Sequence, residues 1–134
     1  AAFIPVIMGM GGNIGTQSAT IVVRGLATGR ISTGELWTVV AKELLVGLIL
    51  GLVYGSLIGI VAQFRYRTEM LALSVGLAVI CSMSVAALVG SFVPMAFARI
   101  RIDPAVATGP FVTTAMDIIS VFFYFVIATT LMGI

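Results

Sequence analysis

The sequence predicts an all-α polytopic membrane protein, a helical bundle with four spans, and three observations carry that reading. The 134 residues are 60% hydrophobic and 9% charged, where a soluble domain has about 25% charged residues. Mean hydropathy is +1.23. The uncharged runs are long and unalternating, whereas barrel strands read as segments of about ten residues with alternating polarity. Helices are then the spanning element left, because lipid forces every backbone polar group to be satisfied internally.

The spans are predicted at about 1–23, 44–64, 70–98 and 104–132. The first, uncharged until Arg24, carries Gly9, Gly11, Gly12 and Gly15. Each glycine costs up to about 1 kcal/mol against alanine in a helix, so a break or a close backbone approach is expected near Gly11-Gly12. Residues 24–42 are polar, and Ser32-Thr33-Gly34-Glu35 supplies helix-capping candidates. In the second span Gly47, Gly51, Gly55 and Gly59 recur every four residues and form one face that lets another helix approach. That helix belongs either to the same subunit or to a second copy. The turn at 63–69 holds Arg65, Arg67 and Glu69, with Tyr66 suited to headgroup level.

Met70 to Ala98 is uncharged, its serines are expected to pack in the core, and Pro94 is expected to end or kink the helix. Asp103-Pro104 has the form of a helix start, a capping side chain ahead of proline; an ion-ligand role for Asp103 is the weaker alternative. Loops 24–42 and 99–103 share a side and hold Arg24, Arg30, Lys42, Arg99 and Arg101, against Arg65 and Arg67 opposite. The positive-inside rule places the former in the cytoplasm and both chain ends outside.

Composition also excludes function classes. The basic residues are spread along the chain as membrane-flanking charges, not as a nucleic-acid-binding stripe. With no His and a lone Cys81, no soft-metal ligand set exists, and no nucleophile has an activating base. The run GMGGNIG lacks the Lys-Ser/Thr ending of a phosphate loop. No enzyme is expected. The chain opens Ala-Ala-Phe without a basic n-region, which reads as a piece of a longer protein and not as a signal peptide.

One charge stands out. From Pro104 to Ile134 the only Asp, Glu, Lys or Arg is Asp117. Thirteen residues at about 1.5 Å each place it about 20 Å along a helix starting at Pro104, near the bilayer midplane. A carboxylate there costs about 2.5–3.5 kcal/mol on insertion scales and faces a cavity or partner as a rule. The structural alternative is a protonated or paired carboxylate, yet no basic residue lies mid-span. Pro5 and Pro104 each open a span that continues through amide, hydroxyl and small residues. These are Asn13, Thr16, Gln17, Ser18 and Thr20 in one, and Thr108, Gly109, Pro110, Thr113, Thr114 and Asp117 in the other. If those faces meet, oxygen atoms line a cation route. A hard ion such as Mg²⁺, which keeps several waters and is held by one or two carboxylates, suits one Asp per chain. A symmetric dimer would bring two copies of Asp117 to one axis.

Having reached these residues, the sequence resembles the transmembrane domain of the MgtE family of magnesium channels. The match runs through FIPVIMGMGGNIGTQSATIVVRGLATG at 3–29, KELLVGLILGL at 42–52 and DPAVATGPFVTTAMD at 103–117. The resemblance implies the second to fifth helices of a five-helix subunit, the first helix being absent. It implies a homodimer in the lipid bilayer of the bacterial inner (plasma) membrane, with a pore lined by 1–23 and 104–132. Cytosolic N-terminal and CBS domains, absent from this chain, regulate the family's pore. The resemblance further implies Mg²⁺ as the transported ion, Asp117 as its ligand, and Asn13, Gly12, Gln17, Thr113, Thr114 and Gly109 as pore-lining candidates. Gly109 stands where the family often has a polar residue, commonly Asn. The competing function class is a secondary transporter using Asp117 for H⁺ or Na⁺ coupling. A membrane scaffold relying on the glycine face is the control.

Overall fold

The computed structural model describes residues 2–133. Four long helices make up the chain: α1 (Ile4–Ala27), α2 (Leu36–Tyr66), α3 (Glu69–Arg99) and α4 (Pro110–Met132). Short 3-10 turns at Thr33–Glu35 and Pro104–Ala107 lead into α2 and α4. The segments Thr33–Tyr66, Glu69–Arg99 and Pro104–Met132 are long and apolar enough to cross a membrane. The chain is thus a multi-pass integral membrane protein. α1 has the length, about 36 Å for its 24 residues, but its amide and hydroxyl side chains keep it less apolar than the others.

α3 is the central element. It packs against α1, α2 and α4, while α2 lies along α3 and barely meets α1. The main core is built where α1, α3 and α4 meet, from Ile14, Val79, Met83, Ala86, Val112 and Met116 among others. A smaller cluster of Val22, Leu36, Val40 and Met95 holds the start of α2 against the ends of α1 and α3. The outward face of α2, including Leu45, Ile49, Leu52, Val53, Leu57 and Ile60, is exposed and apolar. Such a face is stable against lipid tails.

The glycine face of α2 is used inside the subunit. A Cβ on Gly47 would stand 2.5 Å from Ala87 Cβ, and one on Gly55 would stand 2.7 Å from the Gly76 carbonyl oxygen. Of the two partners open from sequence, α3 of the same chain is the one found. Its missing side chains let the α2 and α3 backbones pack together, the small-residue contact that replaces hydrophobic driving force in lipid.

At two positions the structure excludes one of the two outcomes expected. α1 runs unbroken through Gly9, Gly11, Gly12 and Gly15; of the two outcomes expected there, close approach is the one observed. A side chain on Gly11 would collide with the hydroxyls of Ser82 and Ser120, and one on Gly90 with the Gly15 backbone. Packing against α3 and α4 outweighs the poor helix propensity of glycine. Pro94 does not end α3, which continues to Arg99 with Pro94 buried inside it. The serines pack as expected: Ser74 donates to the Met70 carbonyl and Ser91 to the Ala87 carbonyl. The Ser82 and Ser120 hydroxyls bond across the α3–α4 contact.

The fourth span starts in two steps. Asp103 caps the first, accepting from the Ala105 N–H at 2.9 Å, which matches the capping role. The turn then stops at Thr108, and Gly109 takes φ +58° and ψ −128°. This conformation is open almost only to glycine. α4 proper therefore begins at Pro110 and not at Pro104.

Candidate functional site

The site is built where the polar face of α1 turns outward beside the start of α4. Along α1, Asn13, Gln17, Thr20 and Arg24 follow one another at intervals of four, three and four residues and are all exposed. On a helix that spacing is a single stripe. The opposite face carries Gly11, Ile14, Gly15, Ser18 and Val22, all buried. The stripe is thus set by core packing on the other side of the helix.

An open cavity of about 1030 Å³ lies along this stripe. Asn13, Thr16, Gln17 and Thr20 line it from α1, and Thr113 lines it from α4. Arg24 and Arg30, with Thr28 between them, close one end. The Thr16 hydroxyl oxygen is buried with no hydrogen-bond partner among the described residues, an unmet polar group at the cavity wall. Thr113 is turned back by its own helix, its hydroxyl donating to the Gly109 carbonyl at 3.2 Å.

Asp117 follows Thr113 by four residues, so it stands one turn further along the same face of α4. It is half-buried and has no hydrogen bond or ion pair among the described residues. It lies seven residues into the 23-residue α4, nearer the middle of the helix than its Pro110 end. The helix contacts fix its level. Gly15 faces Val112 and Met116 while Gly11 faces Ser120, so α1 and α4 run antiparallel and Asn13 stands level with Asp117. Among the described residues no three His, Cys, Asp or Glu side chains come together to hold a metal ion.

Of the residues singled out from sequence, the structure brings Asn13, Gln17 and Thr113 to one cavity and sets Asp117 just beyond it. Gly12 is buried in α1, with nothing within 4 Å of where its Cβ would be. Thr114 is exposed on α4 and Gly109 forms its N-cap; neither lines the cavity. Sequence reasoning passed over Arg24 and Arg30 as cavity residues, treating them as loop charges. The signal was present for Arg24, which continues the Asn13–Gln17–Thr20 periodicity.

Ahead of the uncharged 44–64 stretch, the polar entry to α2 is held by a local clasp. The Ser32 backbone N–H and hydroxyl both donate to the Glu35 carboxylate. Those bonds hold the Glu35 carboxyl below its usual pKa. Arg99 Nε donates to the Thr33 carbonyl at 3.0 Å and ties this loop to the end of α3.

A lipid-embedded helical bundle with one outward polar helix face, an open cavity and an unpaired acid beside it has the make-up of a membrane transport protein. The profile of the MgtE family, described as a divalent cation transporter, matches residues 4–127. The chain belongs to that family. It is 41% identical over 132 residues to the magnesium transporter MgtE of Enterococcus faecalis, covering 98% of this chain. To the proteins of the same name from Thermus thermophilus and Bacillus subtilis it is 35% and 33% identical over 98% and 96% of its length. The chain spans 29% of the length of each of these relatives.

Proposed function

We propose that this chain is the membrane pore domain of a Mg²⁺ channel in which two copies pair across the α1–α4 polar face and conduct the hydrated ion past Asp117. The observation that carries the proposal is the exposed stripe of Asn13, Gln17 and Arg24 beside a half-buried, unpaired Asp117. Facing lipid tails, that surface would be costly, about 2.5–3.5 kcal/mol for the aspartate alone on insertion scales. Facing water between two subunits, it becomes the wall of a conduit. α1 then spans the membrane as the fourth helix despite its polarity, and residues 1–134 form one domain.

The chemistry fits an ion that keeps its hydration shell. Mg²⁺ sheds water reluctantly and is commonly bound through one or two carboxylates with several waters retained. Two Asp117 carboxylates related by a two-fold axis supply charge, while the Asn13 and Gln17 amides and the Thr113 hydroxyl offer hydrogen-bond partners to ordered water. The relatives' name, magnesium transporter, supports the choice of ion. The regulatory domains implied by the family resemblance would join this domain on the cytoplasmic side.

Coupled transport is the second reading, since a membrane-embedded carboxylate also serves H⁺ or Na⁺ coupling. Mg²⁺ uptake into liposomes by the full-length protein separates the two. A channel gives uptake that follows the Mg²⁺ gradient and voltage alone. Uptake that requires an imposed H⁺ or Na⁺ gradient overturns the channel reading, and no uptake under either leaves only a scaffold.

A further inference from the structure

The cavity carries two guanidinium groups on a route assigned to a cation. Arg24 and Arg30 line the same end of it, and neither side chain has a hydrogen bond or ion pair among the described residues. Among the described residues no Asp or Glu lines the cavity. A basic residue in the last turn of a helix complements the helix dipole, which accounts for Arg24 being in the last turn of α1. It does not account for Arg30, which lies beyond the helix and still faces the same space.

We infer that Arg24 and Arg30 form a positively charged cytoplasmic mouth that makes the pore an inward rectifier for divalent cations. The inference rests on the channel reading and on the orientation set by the positive-inside rule. A fixed positive charge at one mouth lowers the local concentration of cations there. Entry from that side is slowed while entry from the opposite side is not, so inward current exceeds outward current at equal and opposite voltages. In bulk water one unit charge about 10 Å from a divalent ion lowers its local concentration by a factor of roughly four. Salt reduces this, because the Debye length is about 8 Å at physiological ionic strength. In a two-fold pore four guanidinium groups act together. Arginine stays charged at any accessible pH, so the barrier is not titrated away.

The test is the current–voltage relation of the full-length protein in planar bilayers with equal Mg²⁺ on both sides. The wild type is expected to pass more inward than outward current. The R24Q/R30Q double variant should lower that ratio roughly threefold or more, chiefly by raising outward current. The R24K/R30K variant, which keeps the charge and changes its shape, should retain the ratio. On the wild type, choline chloride added to the arginine side should lower the ratio as it screens the charge, a readout that needs no substitution. An unchanged ratio in R24Q/R30Q with Mg²⁺ current present, or a ratio insensitive to choline chloride, overturns the inference and leaves the channel reading standing. Loss of the ratio in R24K/R30K as large as in R24Q/R30Q also overturns it, by assigning the effect to packing. No Mg²⁺ current in the wild type overturns the channel reading itself.

Discussion

Gly15 of α1 and Met116 of α4 touch so closely that a Cβ on Gly15 would stand 2.9 Å from Met116 Cγ and 2.9 Å from Val112 Cγ1. The residue after Met116 is Asp117, so this contact sets how near the α4 carboxylate comes to the polar face of α1. On the other side of α1, Gly90 of α3 approaches the Gly15 backbone itself. One residue is thereby clamped between two helices, and the level of the candidate ion site is fixed by packing and not by a polar bond.

Substituting Gly90 by leucine is therefore expected to wedge α1 from α3. Overpacking of this kind costs about 1–3 kcal/mol, occasionally more, and here the clash is with backbone, which cannot swing aside. The thermal midpoint in detergent, followed by size-exclusion recovery, should fall; an unchanged midpoint contradicts the described crossing.

Gly109→Ala tests the two-step entry into α4. A non-glycine residue at φ +58° and ψ −128° carries strain of about 1–3 kcal/mol. The variant should lose stability by that order and shift the protease sensitivity of residues 104–110. Stability equal to wild type would mean that α4 starts elsewhere.

The hydroxyl pair Ser82–Ser120 is an interhelical polar bond in the core. Double-mutant cycles in membrane proteins give such bonds about 0.6 kcal/mol on average, with a maximum near 1.7 kcal/mol. Ser82→Ala and Ser120→Ala should each destabilise, and the double variant by less than their sum. Strict additivity places the two side chains apart.

Much of this arrangement could be read from residue order alone, because its causes are local. The Asp103 cap, the apolar lengths of α2, α3 and the 104–132 segment, and the glycine face of α2 each follow from spacing within one element. What could not be read depends on a second element. Gly11 and Gly15 lower helix propensity in isolation and predicted a possible break, but Ser82, Ser120 and Met116 fill the space they leave. The start of α4 at Pro110 turns on a positive φ at Gly109, whereas the residue order points to Asp103-Pro104 as the helix start. Arg24 and Arg30 looked like loop charges because the cavity that gathers them is formed only when Thr113 is brought beside α1.

The Ser32–Glu35 clasp gives a pH dependence with a definite sign. Hydrogen bonds from Ser32 depress the folded-state pKa of Glu35, so its contribution is present in full above the unfolded carboxyl's ordinary value, about 4.3. It is lost as pH falls through the lower folded-state value. Amide protection at residues 32–35, taken relative to the intrinsic exchange rate at each pH, should be lost in the wild type as pH falls through the lowered Glu35 value and be low at all pH values in Glu35→Gln. Protection in the wild type that does not change with acidification contradicts the assigned bonds.

The central claim is that Asp117 greets the permeating ion, and Mg²⁺ uptake into liposomes by the full-length wild type and its Asp117→Asn variant tests it most directly. Removing the charge while keeping the shape should lower Mg²⁺ binding and flux by tenfold or so, the loss of about 1.4 kcal/mol of ion stabilisation, with the dimer intact by size-exclusion chromatography. Flux and selectivity equal to wild type in that variant would remove Asp117 from the ion's path and contradict the account.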